Sequence, residues 1–150
     1  MKNQYFGDKR DLFKFDLVLH VMESVVGLNK FTYIPMLTPD DDRAGGRLTN
    51  YPRGYCRKGL FDFLQESVEG NRNIQRLREF FKKRPFAYNP YMDDSYYTHF
   101  ERETYFRNIP NEALIDALIV LDPDIGLEIR EKDDQHLHLT CSRKTSPLLM

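Results

Sequence analysis

Ala117-Leu-Ile-Val-Leu-Asp-Pro-Asp-Ile-Gly-Leu-Glu128 is an apolar run rich in branched side chains that stops abruptly at two aspartates flanking Pro123. A run with no polar residue before Asp122 predicts a strand buried on both faces, and such strands belong mostly to parallel sheets covered by helices. Ligands of open α/β sheets bind beyond the carboxyl ends of those strands. Asp122 and Asp124 are therefore placed where chemistry is expected. The same residues also suit a plain turn, because aspartate before proline is a favoured turn opener.

Working outward, residues 127–131 and 136–141 alternate apolar with polar around a polar connection, which predicts a hairpin. One helical turn is expected between Pro110 and the buried strand. Upstream, Leu12, Phe15, Val18, Leu19, Met22, Val25 and Val26 recur at spacings of three and four, the pattern of an amphipathic helix over residues 11–26, with Gly27 as its stop. That pattern also puts His20 on the apolar side as a packed histidine. Residues 30–37 are rich in strand formers, and Pro35 marks this strand as an edge or a bulge. Helical spacing returns over residues 60–68 and again from Ile74 to Phe81, so that Phe80 and Phe81 point inward. A brief strand fits residues 85–90, and residues 95–106 are ambiguous between helix and strand. The order helix, strand, helices, strand, helix, strand predicts one α/β domain over residues 1–150, a Rossmann-like three-layer fold with a mainly parallel sheet.

The chain has 11 Phe and 9 Tyr but no Trp, so its core leans on aromatic rings. No segment reaches the length of apolar sequence that spans a bilayer, and the N-terminus lacks the apolar centre of a signal peptide, which points to a cytoplasmic protein without a membrane partner. Cys56 and Cys141 read as free thiols. Residues 53–84 hold nine Lys/Arg against four Asp/Glu, whereas residues 85–150 hold six against twelve. Arg72, Arg76, Lys83 and Arg84 in the basic part could meet nucleic acid by phosphate contact, and a solvated helix face explains them equally.

Asp122 and Asp124 two apart, with Glu128 four beyond, supply the oxygens that a hard cation such as magnesium prefers. Such an ion activates water or neutralises phosphate. His136 and His138 could join a metal site from the hairpin. Residues 38–47, Thr-Pro-Asp-Asp-Asp-Arg-Ala-Gly-Gly-Arg, form a loop after a strand, where backbone amides can approach a ligand and aspartates can bond a ribose. Neither the G-x-G-x-x-G spacing nor the P-loop Lys-Ser/Thr is present.

Lys2-Asn-Gln-Tyr-Phe-Gly-Asp8 with Asp11 and Lys14, Leu37-Thr-Pro-Asp-Asp41, and Asp122-Pro-Asp-Ile-Gly-Leu-Glu128 together resemble an uncharacterised bacterial and prophage-associated family. Members of that family run longer, so the chain resembles their N-terminal portion, and the tail after Glu128 departs from their continuation, as in a truncated form. More distantly, Gly7, Asp11 and Lys14 share the spacing of an N-terminal motif of class I S-adenosylmethionine-dependent methyltransferases acting on ribosomal RNA adenine. Asp122-Pro-Asp stands where that family has aspartate-proline-proline. The second proline, the following aromatic residue and the glycine-rich cofactor loop are missing here.

This second resemblance implies a cofactor site of Gly7, Asp8, Asp11, Thr38 and Asp40 for S-adenosylmethionine, with Asp122 accepting a hydrogen bond from the target amine. Lys14, Asp124 and Glu128 complete the catalytic set. Two other classes remain open. A magnesium-dependent nuclease or phosphoesterase would hold its metal with Asp122, Asp124 and Glu128 and stabilise charge with Lys14 or Lys132. A non-catalytic partner-binding protein would form a homo-oligomer.

Overall fold

The computed structural model describes residues 1–42, 46, 48–50 and 57–124. The expected hairpin, Glu128, Lys132, His136, His138, Cys56 and Cys141 lie outside the described residues.

Helix α1 (Lys9–Ser24) starts where Asp8, in extended backbone, accepts hydrogen bonds from the amides of Arg10 and Asp11. This is an N-cap, which satisfies two amides that have no partner in the first turn. The helix buries Leu12, Phe15, Val18, Leu19 and Met22. It ends before Val25 and Val26, which are exposed, the latter fully. Both were expected on the buried stripe. His20 was expected there too and is also exposed, because it projects from the outer face.

Strand β1 (Lys30–Ile34) follows, then α2 (Lys58–Glu69), a 3-10 turn (Ile74–Arg76) and α3 (Leu77–Phe81). After β2 (Ala87–Pro90) come a second 3-10 turn (His99–Glu101), α4 (Arg102–Arg107) and α5 (Asn111–Leu114), leading into β3 (Ala117–Leu121). The described residues thus reproduce the alternation of helix and strand, including the single turn before the last strand.

All three strands run parallel, in the order β2-β1-β3. Two strand expectations are overturned by this order. β1 is the central strand, not an edge: Pro35 lies just past its last paired residue, so the missing amide costs the ladder nothing. β3 is the strand at an edge of the described sheet, and Ile119 and Leu121 are 40% and 38% exposed, so it is not buried on both faces. The unbroken apolar run reflects mixed surroundings there.

Helices cover both faces of β1, because successive side chains of a strand point to opposite sides. Phe31 and Tyr33 face α1, α2 and α3 in the larger core cluster with Phe15, Leu60, Leu64 and Phe81. Phe81 holds this cluster together, with ring centroids 5.1 Å from Phe31, 6.1 Å from Phe15 and 4.8 Å from Tyr88. On the opposite face Ile34 packs with Met36 and Tyr105, and the Thr32 hydroxyl donates to the Ala113 carbonyl at 2.5 Å. The fold is a Rossmann-like α/β arrangement with a three-stranded, open, parallel sheet. One crossover leaves β1 for β2 and the next returns past it to β3, so the carboxyl ends of β1 and β3 flank a topological switch point.

Candidate functional site

The start of α1 explains the spacing of Gly7, Asp8, Asp11 and Lys14. Gly7 has a positive φ of 92°, and a Cβ there would sit 2.8 Å from Val68 Cγ2 and 3.1 Å from the Leu64 carbonyl. Only glycine fits both the backbone and the close approach of α2. Its amide donates to Asp11 Oδ2 at 2.9 Å. Asp11, one turn into the helix, reaches back to the chain that precedes the cap while its other oxygen accepts from Lys14 Nζ at 2.8 Å. Lys14 follows on the same helical face and spans to the end of β3, where its Nζ lies 2.5 Å from Asp122 Oδ2.

Asp122 is positioned by the sheet. Its amide donates to the Ile34 carbonyl at 2.9 Å, continuing the β1 ladder one step past β3. Leu118, Val120 and Asp122 alternate onto the face that carries Phe31 and Tyr33, since Val120 pairs with Tyr33. The Tyr33 hydroxyl accordingly donates to Asp122 Oδ2 at 2.5 Å. One carboxylate oxygen thus takes both a lysine and a tyrosine. Among the described residues no donor is bonded to Asp122 Oδ1.

Electrostatics follow from burial. Burial pushes the Lys14 ammonium down, but the carboxylates of Asp11 and Asp122 outweigh it and leave its pKa above the ordinary value. Burial pushes the Asp11 carboxyl up, more than Lys14 and the Gly7 amide pull it down. The Tyr33 hydroxyl is held well above its usual range by burial, helped by the neighbouring charge of Asp122. The Lys14 ammonium and the Tyr33 hydroxyl therefore both hold their protons more tightly than the free groups do.

This group lies in an open cleft of about 470 Å3 beyond the strand ends, lined also by Tyr5, Asp8, Arg10 and Asp124. Of the residues expected to form a site, Asp8, Asp11, Lys14, Asp122 and Asp124 meet in this cleft. Gly7, Thr38 and Asp40 do not line it. Gly7 acts on the packing of α1 against α2. Thr38 sits behind the cleft, where its hydroxyl donates to Asp124 Oδ2 at 3.0 Å. Asp40 is exposed and accepts from the Gln4 amide at 3.1 Å. Its neighbour Asp41 is the more engaged, accepting from Lys2 Nζ at 2.6 Å and from the Tyr5 hydroxyl at 3.1 Å. The loop after β1 is therefore tied to the N-terminal 3-10 turn (Asn3–Tyr5) that forms one wall of the cleft.

Tyr33 and Tyr5 were missed from the sequence, whereas Asp41 belongs to the loop over residues 38–42 that was expected to join the site. Parity along β1 and β3 carries the signal for Tyr33, because residues in register share a face. Met36 was missed as well; it is buried just past the end of β1 with a positive φ of 44°. A left-handed non-glycine residue at a strand end is uncommon and marks a tight turn away from the switch point.

Among the described residues no group of three or more His, Cys, Asp or Glu is arranged to hold a metal ion. Asp122 faces Lys14 and Tyr33, while Asp124 turns to Thr38 and the rim, 3.8 Å from Lys2 Nζ. The third expected ligand, Glu128, is outside the described residues.

The expected nucleic-acid contacts run from Arg72, bonded to Gly46 at the cleft rim, along the segment that carries α3. Phe80 and Phe81 point inward, as their spacing predicts. Arg76 lies over the Phe63 ring at 5.5 Å and Arg84 over the Phe80 ring at 4.6 Å. Lys83 is exposed, and Arg72 donates to the carbonyls of Gln4 and Gly46 at 2.8 and 2.9 Å. Among the described residues no helix is long and apolar enough to cross a membrane. No family model, no curated protein and no solved structure matches the chain.

Proposed function

We propose that the chain is a methyltransferase-like α/β protein whose cleft takes S-adenosylmethionine and presents its methyl group to an amine of nucleic acid. The observation that carries this reading is the meeting of Lys14 and Asp122, 108 residues apart, in one cleft at the switch point of a parallel sheet. Open α/β sheets take nucleoside ligands at that position. The cleft is lined by four carboxylates, Asp8, Asp11, Asp122 and Asp124, against the cations of Met1, Arg10 and Lys14, and this acidic balance suits a ligand bearing a sulfonium and an amino group.

In this reading Asp122 accepts a hydrogen bond from the target amine through Oδ1, while Lys14 and Tyr33 fix its carboxylate through Oδ2. Bound beside Asp8, Asp11 and Asp124, S-adenosylmethionine would supply an electrophilic methyl group to that amine, whose nitrogen would release its proton to water. Asp122 orients the amine lone pair by accepting from its N–H, a positioning role.

Calorimetry tests the reading. S-adenosylmethionine is expected to bind saturably, and Asp122→Asn and Asp124→Asn, each of which removes a carboxylate charge from the cleft lining, to weaken the binding at least about tenfold, the equivalent of about 1.4 kcal/mol. No heat with the unaltered chain, or equal affinity in all three proteins, contradicts it.

A further inference from the structure

We infer that the surface running from Arg72 through the 3-10 turn (Ile74–Arg76) and α3 to Arg84 binds the sugar-phosphate backbone of a nucleic acid strand and guides it to the cleft. This deepens the proposed function by naming the surface that holds the substrate, and it rests on that reading. Six of the thirteen residues from 72 to 84 are Lys or Arg, against a single acid, Glu79.

Pairing distinguishes these cations from five others among the described residues. Lys2, Lys14, Arg57, Lys58 and Arg107 each have a carboxylate partner. Within the strip only Arg78 does, at 2.5 Å from the buried Asp93. Among the described residues, Arg72, Arg76, Lys82, Lys83 and Arg84 have no carboxylate within 4.0 Å. Five uncompensated cations on one short segment form a positive surface that a charge-neutral partner would not require.

The geometry favours phosphate over base recognition. Phe63 and Phe80 stack with centroids 4.8 Å apart, and Arg76 and Arg84 lie over those two rings. The rings are thus capped by guanidinium groups rather than presented as platforms for bases. An arginine laid on a ring loses less freedom when its remaining donors meet a phosphate. Contacts of this kind position a strand without reading its sequence.

The strip also has a direction. Arg72 donates to the Gly46 carbonyl, and Gly46 lines the cleft. The Ile74 amide donates to Asn3 Oδ1 at 3.0 Å, which fastens the strip to the turn carrying Tyr5. One end of the strip therefore stands at the cleft rim, while Lys82, Lys83 and Arg84 stand just before β2, toward the amino ends of the strands. A backbone laid along it has one end at Asp122's side of the sheet.

Fluorescence anisotropy with a labelled single-stranded RNA of about 20 nucleotides, at about 50 mM salt, tests this without cofactor; the unaltered chain is expected to bind with affinity that falls steeply as salt rises. Lys82→Glu with Lys83→Glu, both exposed and outside the core, is expected to weaken binding at least about tenfold and to lower the salt slope by about 1.4, two contacts at about 0.7 each. Arg107→Glu, on the opposite face of the sheet, is expected to leave binding unchanged. The inference is overturned by no saturable binding or by equal losses in the two variants. Because no cofactor is present, failure here is separate from failure of the cofactor to bind in the calorimeter.

Discussion

Lys14 Nζ lies 2.5 Å from Asp122 Oδ2, so the first helix and the end of the last described strand are joined by an ion pair with side-chain exposures of only 22% and 16%. The same ammonium holds Asp11, and the same oxygen receives Tyr33. Removing one member of so enclosed a group leaves the others short of a partner, which is more costly than the pair is worth.

Lys14→Met and Asp122→Asn are each expected to destabilise the fold, and the double variant by less than their sum. A coupling energy of about 1–3 kcal/mol is expected from urea denaturation of the four proteins. Strict additivity would mean that the two groups do not meet in solution.

Tyr33→Phe keeps the ring that packs 5.6 Å from Phe15 and 6.1 Å from Phe31 and deletes only the hydroxyl on Asp122. The expected loss is about 1–2 kcal/mol, that of one hydrogen bond to a charged acceptor, measured by the denaturation midpoint. A neutral result would place the hydroxyl elsewhere.

Gly7→Ala is expected to cost more than about 1 kcal/mol, because a positive φ and a short approach to Val68 and the Leu64 carbonyl act together. Gly27→Ala, which has a positive φ but nothing near its Cβ, is the comparison and is expected to cost less. Equal melting temperatures in the two variants would remove the packing role of Gly7.

Alkaline pH is expected to unfold the chain. Burial holds the Tyr33 hydroxyl well above its ordinary 10.0, and the carboxylates of Asp11 and Asp122 hold Lys14 above 10.5 despite burial. In both cases the folded state keeps a proton that the unfolded state releases, so stability falls as pH rises past about 10 and continues to fall through the raised folded values. Burial raises Tyr88 in the same direction and Tyr105 to about 12, so Tyr33→Phe is expected to soften the fall of the melting temperature between about pH 10 and 12 rather than abolish it. An unchanged profile would contradict a buried, protonated Tyr33.

Much of the architecture was legible from periodicity. Leu12, Phe15, Val18, Leu19 and Met22 mark α1 because a helix repeats every three to four residues, and the aspartates after β3 fall at a strand end as the abrupt stop of the apolar run implies. What periodicity did not convey was the order of strands. Neighbours in a sheet are chosen by tertiary packing, so β1 with Pro35 read as an edge when it is central, and the apolar β3 read as central when it borders the described sheet. The candidate site was legible in part for the same reason. Gly7, Asp8, Asp11 and Lys14 share a local helix start, whereas the bond from Tyr33 to Asp122 depends on register between strands far apart in sequence.

The most direct test of the account follows the carboxyl signal of Asp122 and the ammonium signal of Lys14 by NMR while S-adenosylmethionine is titrated. Both are expected to move saturably with a common affinity, while the carboxyl of Asp93, buried against Arg78, stays in place. Signals of Asp122 and Lys14 that remain fixed at saturating ligand, or that move no more than Asp93, would contradict a nucleoside site between the first helix and the last described strand.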